Sequence, residues 1–246
     1  MRTGNHSLRF RHSPKTIKTA TEIDGLPVLN TYEALPEAVD TAIVAVPAAD
    51  VLQTLRKLEQ VGVRSANVFS NGFSVEQEAA IRAFGAQTAM SVNGPNCMGL
   101  VNFNDASPLY PSRPSLRLKP GQVALVAQSG SAAISIMNSI TAGLSKVITV
   151  GSEYQVTTAD YLVWLAQDDD TRVVGVVAES IPDPVAFAYA AEKLHAAGKP
   201  LVVLKVGSSE MGSAATLAHT GALISNRDAF DSFFRACDIA TASDYD

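Results

Sequence analysis

Apolar runs of four to eight residues alternate with amphipathic stretches of ten or more, and this alternation constrains the fold more than any other feature of the chain. Residues 41–47 (TAIVAVP) read as a buried strand, and residues 49–60 follow with Val51, Leu52, Leu55 and Leu58 at helical spacing. Residues 65–69 are the next strand, 75–84 the next helix, and 88–92 a short strand running into Asn93-Gly-Pro-Asn-Cys-Met-Gly99. Strand, helix, strand, helix in this rhythm predicts βαβ units with a parallel sheet and right-handed crossovers. Residues 104–121 hold four prolines and no periodicity, so a domain boundary is expected there, dividing the chain into residues 1–112 and 113–246. The rhythm then restarts. Strands are expected at 122–127, 146–150, 171–179 and 200–206, and helices at 132–142, 158–167, 184–197 and 227–237. This second half reads as a doubly wound, flavodoxin-like parallel sheet.

Composition removes several classes of function. With 246 residues, 47% hydrophobic and only 7% aromatic, there is room for two domains with Ala-, Val-, Leu- and Ile-rich cores. A net charge of −5 leaves no global basic field for nucleic acid or an anionic membrane surface. Cys97 and Cys237 make no disulfide framework and suit a reducing compartment, and no run approaches the ~18 apolar residues of a membrane span. Residues 1–21 carry Arg2, Arg9, Arg11, Lys15 and Lys18 without an acid, a composition shared with organellar leaders, but Gly4 and Pro14 interrupt any helix there. A cytoplasmic protein is expected. No Gly-x-Gly-x-x-Gly precedes the first helix, so the first domain reads as a Rossmann-like unit without its first βα element. Residues 8–11 look like a second strand: either that first element is lost or the chain begins late. The missing fingerprint also argues against an NAD-dependent dehydrogenase.

Ligands of open α/β sheets bind beyond the carboxyl ends of the strands. Gln128-Ser129-Gly130-Ser131 joins a strand to a helix of small residues. Such a turn directs free N–H groups and the helix dipole at one spot, as a phosphate needs, though a plain N-cap serine before a tight turn reads the same way. Residues 207–222 form an unusually long loop of small residues after a strand, and His219 is its only titratable group besides Glu210. A lone histidine is ordinarily structural. An accessible imidazole is also a good nucleophile toward phosphorus when a carboxylate orients its other nitrogen, and Glu179, ending the neighbouring strand, is the obvious carboxylate. His6, His12 and His195 are weaker candidates.

Three motifs carry a resemblance: Asn93-Gly-Pro-Asn-Cys-Met-Gly-Leu-Val-Asn102, Val126-Ala-Gln-Ser-Gly130, and Lys205-Val-Gly-Ser-Ser209 followed by Ala218-His-Thr-Gly-Ala222. In order and spacing they resemble the NDP-forming acyl-CoA synthetases, the superfamily that includes the succinyl-CoA synthetase α subunit, from about Pro14 to the C-terminus. The resemblance implies a CoA-binding Rossmann-like domain followed by a flavodoxin-like domain carrying a phosphohistidine. It gives the phosphohistidine role to His219, its positioning carboxylate to Glu179, and the phosphate seat to Gln128, Ser129, Gly130 and Ser131 with Thr220 and Gly221 beside the histidine. On the CoA side it implies Lys15, Val46, Pro47, Ser70, Asn71, Gly72, Asn96 and Cys97. No metal site in this chain is implied.

The implied reaction converts a carboxylic acid and CoA to acyl-CoA through an acyl phosphate. Phosphoryl is exchanged with His219 and carried to or from ADP or ATP, with Mg, on a separate ATP-grasp subunit or domain. Homo- or hetero-oligomers are compatible with that division. Several features depart from the pattern: the Gly-rich first βα unit is missing, Ser152 stands where relatives usually have Asn, and neither a third α/β domain nor the ATP-grasp module follows Asp246. A split subunit or a fragment of a longer protein is therefore expected, inactive alone in ATP-driven ligation. A non-catalytic acyl-CoA- or nucleotide-sensing module of the same superfamily, or an inert truncated remnant, is the alternative. A sensing module has no reason to keep the His219–Glu179 pair.

Overall fold

The computed structural model describes residues 22–23, 26–35, 39–111, 118–206 and 227–244. After a short antiparallel pair, β1 (Glu22–Ile23) and β2 (Leu26–Pro27), and a 3-10 turn at Tyr32–Ala34, the first parallel sheet begins. Its strands are β3 (Thr41–Val44), β4 (Ser65–Val68) and β5 (Ser91–Asn93), in the order β3-β4-β5. Two crossover helices connect them, α1 (Ala48–Gln60) and α2 (Val75–Gly85). Val51, Leu55 and Leu58 recur at helical spacing on α1 and are buried with Val44, Ala66, Val68, Ile81 and Val92 in one cluster. Both helices therefore cover the same face of the sheet. A capping box on Ser74 and Gln77 starts α2. The strand expected from residue 88 begins only at Ser91, because the Thr88 hydroxyl accepts a hydrogen bond from the Met90 backbone and turns the chain first.

The second sheet has seven strands: β6 (Leu100–Asn102), β7 (Ser107–Leu109), β8 (Pro120–Ala127), β9 (Leu144–Thr149), β10 (Val173–Ala178), β11 (Leu201–Lys205) and β12 (Ala240–Ala242). Five of them run parallel in the order β12-β11-β10-β8-β9, which is the doubly wound 2-1-3-4-5 arrangement read from the other edge. Helices α3 (Gly130–Ser139), α4 (Thr158–Gln167), α5 (Pro184–Ala196) and α6 (Arg227–Ala236) flank it. Alternation along β8 divides the core: Ala124 and Val126 face a cluster with α4, α5 and Phe234 of α6, whereas Leu125 and Ala127 face α3.

The structure adds two features to these expectations. The sheet is mixed, since β6 and β7 add to the β9 edge as antiparallel strands. Residues 100–109 therefore belong structurally to the second sheet although they precede the expected boundary at 112, and β7 lies inside the stretch expected to be a hinge. Three-residue strands carry no readable period; they exist because β9 offers an edge to pair with. The expected strand at residues 8–11 lies outside the described residues.

Candidate functional site

In the second sheet, β8 leads into α3 on one face and β10 leads towards α5 on the other. The crevice between their carboxyl ends is the topological switch point where ligands of such sheets bind. Backbone groups of diverging chains have no sheet partner there, and Gln128 supplies one. Its Oε1 accepts from the backbone N–H groups of Glu179 at 2.6 Å and Ser180 at 2.9 Å, while its Nε2 donates to Ser180 O at 2.9 Å and to Glu153 Oε1 at 2.6 Å. Gln128 is buried, so all four bonds lie away from bulk water. Expected site residues Gln128 and Glu179 are thus joined directly, with Glu179 half-buried at the rim.

Beside Gln128, Ser129 caps α3 by accepting from Ala132 N at 3.3 Å, and its Oγ lies 3.0 Å from that of Ser131. The first turn of α3 holds no acid. Each of the other helices α1 to α5 has one at its start: Asp50, Glu76 and Glu78, Asp160, and the Asp183 cap. The positive end of α3 alone among these is left without a carboxylate, the electrostatic condition for receiving an anion. A Cβ on Gly130 would stand 2.5 Å from Met98 Sδ, so a larger residue there would force the Met98 side chain to shift.

Lys205 ends β11 in register with Ala178, beside Glu179. Burial pushes its ammonium below the usual lysine range, while the Glu179 charge opposes the shift. Its Nζ donates to Val206 O at 2.6 Å and lies 4.9 Å from the Phe230 ring. His219, Thr220 and Gly221 lie outside the described residues, as does Lys15.

At the first sheet, the ends of the three strands are tied together. The Ser70 hydroxyl donates to Val46 O, and Asn96 N donates to Ser70 O at 2.9 Å. Pro47, Asn71, Gly72 and Asn96 are exposed around this clasp, with Gly72 at φ +74° and Asn96 at φ +58°. Cys97 is different. Its thiol is only 4% exposed, it donates to Val68 O at 3.3 Å, and burial pushes it up to about 11, against backbone hydrogen bonds that act the other way. The Cys97 thiol is thus turned into the protein and protonated, so only the backbone of this residue is placed to line a groove. Among the described residues no group of three His, Cys, Asp or Glu side chains is placed to hold a metal.

The two sites share a wall. Thr149, ending β9, receives a bond from Met98 N at 2.8 Å and donates to Gly99 O at 2.8 Å. Asn93 Nδ2 donates to both Asn67 Oδ1 and Thr149 O at 3.0 Å. After β9, residues 151–156 run beside the end of β5: Ser152 N donates to Pro95 O at 2.9 Å, Tyr154 N to Gly94 O at 2.9 Å and Val156 N to Val92 O at 3.2 Å. Gln155 reaches further, donating to Gly85 O and Met90 O and accepting from Val92 N. Glu153 sits in the middle of this segment. The sequence reading gave it no role; the available signal was an acid five residues before the first helical residue, Thr158.

A doubly wound sheet with an open switch-point crevice, beside a small Rossmann-like parallel sheet, defines a two-unit α/β protein of the ligand-binding kind. Comparison with known proteins agrees. A family model described as a succinyl-CoA ligase-like flavodoxin domain matches residues 120–246, and one described as a CoA-binding domain matches residues 14–102. The chain belongs to this family, the NDP-forming acyl-CoA synthetase and succinyl-CoA synthetase-like superfamily. It is 34% identical over 214 residues to a trans-feruloyl-CoA synthase from a prokaryote of unknown species, covering 82% of this chain and 30% of that protein. It is 31% identical over 234 residues to the α subunit of acetate–CoA ligase (ADP-forming) I of Pyrococcus furiosus, covering 90% and 50%. Among solved structures it resembles the dinucleotide-forming acetyl-coenzyme A synthetase 1 of Candidatus Korarchaeum cryptofilum in complex with phosphate and ADP. The TM-score is 0.84 at 28% identity, over 92% of this chain and 50% of that one. The chain thus spans about a third to a half of the length of these relatives. Among the described residues no helix is long and apolar enough to cross a membrane.

Proposed function

We propose that the chain is the CoA-binding and phosphohistidine-carrying portion of an ADP-forming acyl-CoA synthetase. The observation that carries the reading is the Gln128 bridge, which joins an acid-free helix N-terminus to the strand end bearing Glu179 at the switch point. An acyl phosphate bound at Ser129–Gly130–Ser131 meets backbone N–H donors and a helix dipole, which stabilise transferring phosphoryl charge without supplying a proton that would hydrolyse a phosphoramidate.

Transfer breaks the bond between phosphorus and the acyl oxygen and forms a bond from phosphorus to an imidazole nitrogen of His219, releasing the carboxylate. Glu179 accepts from the other ring nitrogen and holds the tautomer with a free lone pair. The first domain presents CoA at the clasp of Val46, Pro47, Ser70, Asn71, Gly72 and Asn96, with Lys15 contributing charge. An ATP-grasp module with Mg completes the exchange with ADP. The names of the relatives support a carboxylic acid as acyl donor.

Acetyl phosphate radiolabelled at phosphorus tests this with the chain alone, because the step from acyl phosphate to His219 needs no nucleotide. The expected result is acid-labile, base-stable label on the wild type and none on His219→Ala. An unlabelled wild type, or equal labelling of His219→Ala, overturns the reading.

A further inference from the structure

Glu153 follows Gly151 and Ser152 in the segment that runs beside the end of β5. Its neighbours all serve the first sheet. Tyr154 lies under Arg82, 3.9 Å from the guanidinium carbon to the ring centroid, and Gln155 bonds to the chain around α2 and β5. Glu153 alone turns the other way. It holds φ at +51°, a backbone conformation that L side chains rarely adopt, and its carboxylate enters the second sheet's crevice. There every bond is donated to it: Gln128 Nε2 at 2.6 Å, Thr158 N at 2.8 Å and Thr158 Oγ1 at 2.8 Å. The residue is 9% exposed, so these bonds face little competition from water.

We propose that Glu153 is a positioning residue for phosphoryl transfer: by anchoring Gln128 Nε2 against the N-terminus of α4, it holds the carboxamide that fixes the Glu179 end of β10 beside the N-terminus of α3. The inference rests on the phosphohistidine reading above and deepens it. Among the described residues Gln128 has no other side chain to anchor it; its remaining partners there are the backbone groups of Glu179 and Ser180, the elements it has to hold in place. With Glu153 removed, carboxamide and strand end move together, and the distance from Glu179 to the α3 seat is no longer set. Misplacement of a reacting group by about 1 Å lowers a rate by as much as ~100-fold. The geometry also places Glu153 one residue from backbone bonds to Pro95 and Gly94, so the CoA-side loop and the phosphate seat share this segment.

The test follows the rate of labelling by acetyl phosphate in the whole chain. Glu153→Ala removes the acceptor without introducing a donor. The saturating rate is expected to fall about tenfold or more, with the KM for acetyl phosphate within about twofold of wild type. Thr157→Ala, which removes the cap of α4 without touching Glu153 or Gln128, lowers the melting temperature and leaves the rate unchanged. A full rate in Glu153→Ala, a change confined to KM, or an equal rate loss in Thr157→Ala overturns the inference while leaving the phosphohistidine reading intact. An unlabelled wild type overturns both. If Glu153→Ala loses its native near-ultraviolet circular dichroism, Glu153→Met, which keeps the side-chain length without an acceptor, carries the test: the same fall in saturating rate supports the inference, and a wild-type rate overturns it.

Discussion

Met98 and Gly130 are packed so closely that a single methyl group on Gly130 would overlap the Met98 side chain, standing 2.5 Å from Sδ and 2.7 Å from Cγ. One residue belongs to the loop that follows the first sheet and the other opens α3 beside the second. The contact is thus a direct mechanical link between the two sheets.

Gly130→Ala is expected to destabilise the protein by about 1–2 kcal/mol through overpacking. Gly130 takes no left-handed conformation, so the cost comes from Met98 and not from the backbone. Adding Met98→Ala should therefore recover part of the loss, and thermal melts of both single variants and the double variant measure the coupling. Simple additivity would show that the contact does not govern the cost.

A buried ion pair at the opposite end of the second sheet gives a pH signature. Lys146 Nζ lies 2.7 Å from Asp168 Oδ2, with the lysine side chain 5% exposed, and the Thr171 hydroxyl also donates to Asp168. Burial alone would raise the Asp168 carboxyl, but the hydrogen bonds from Lys146 and Thr171 and the charges of Lys146 and Lys199 outweigh it and hold it below the ordinary value of 3.8. A carboxyl lowered in the folded state stabilises above its unfolded value and loses that contribution as pH falls through the folded value. Asp168→Asn should cost about 3 kcal/mol at pH 7, because it leaves Lys146 buried with only the longer 3.4 Å contact to Asp170. Denaturant titrations should show the difference from wild type shrinking below about pH 4. A gap independent of pH would contradict this account.

Gln155 closes the junction between the sheets. Its side chain serves three backbone groups of the first domain, those of Gly85, Met90 and Val92. Gln155→Leu should cost about 2 kcal/mol through polar groups left unpaired. The two sheets should also unfold less cooperatively, separating the Trp164 fluorescence transition in the second from the helical circular dichroism of the whole. Coincident transitions at unchanged stability would show that the junction is held elsewhere.

Much of the fold was legible because period and composition are local. Leu55 and Leu58 mark a helix face whatever they pack on, and the bounds of α4 match those expected from its spacing. Strand ends were legible for the same reason, which brought Gln128, Ser129, Gly130 and Glu179 into view together. The inward direction of the Cys97 thiol was not legible, because the sequence gives its position in a motif and not where its side chain points.

The sequence by itself determined the alternation of the central strands and helices and the residues at their strand ends, since hydrophobic period and turn chemistry act over a few neighbours. Only the tertiary structure decided that β6 and β7 join the second sheet and that Met98 abuts Gly130. It alone revealed that Glu153 holds Gln128 against Glu179. Those relationships depend on which strand edge is free and which buried donor lacks an acceptor, and both conditions arise only once distant parts of the chain are packed together.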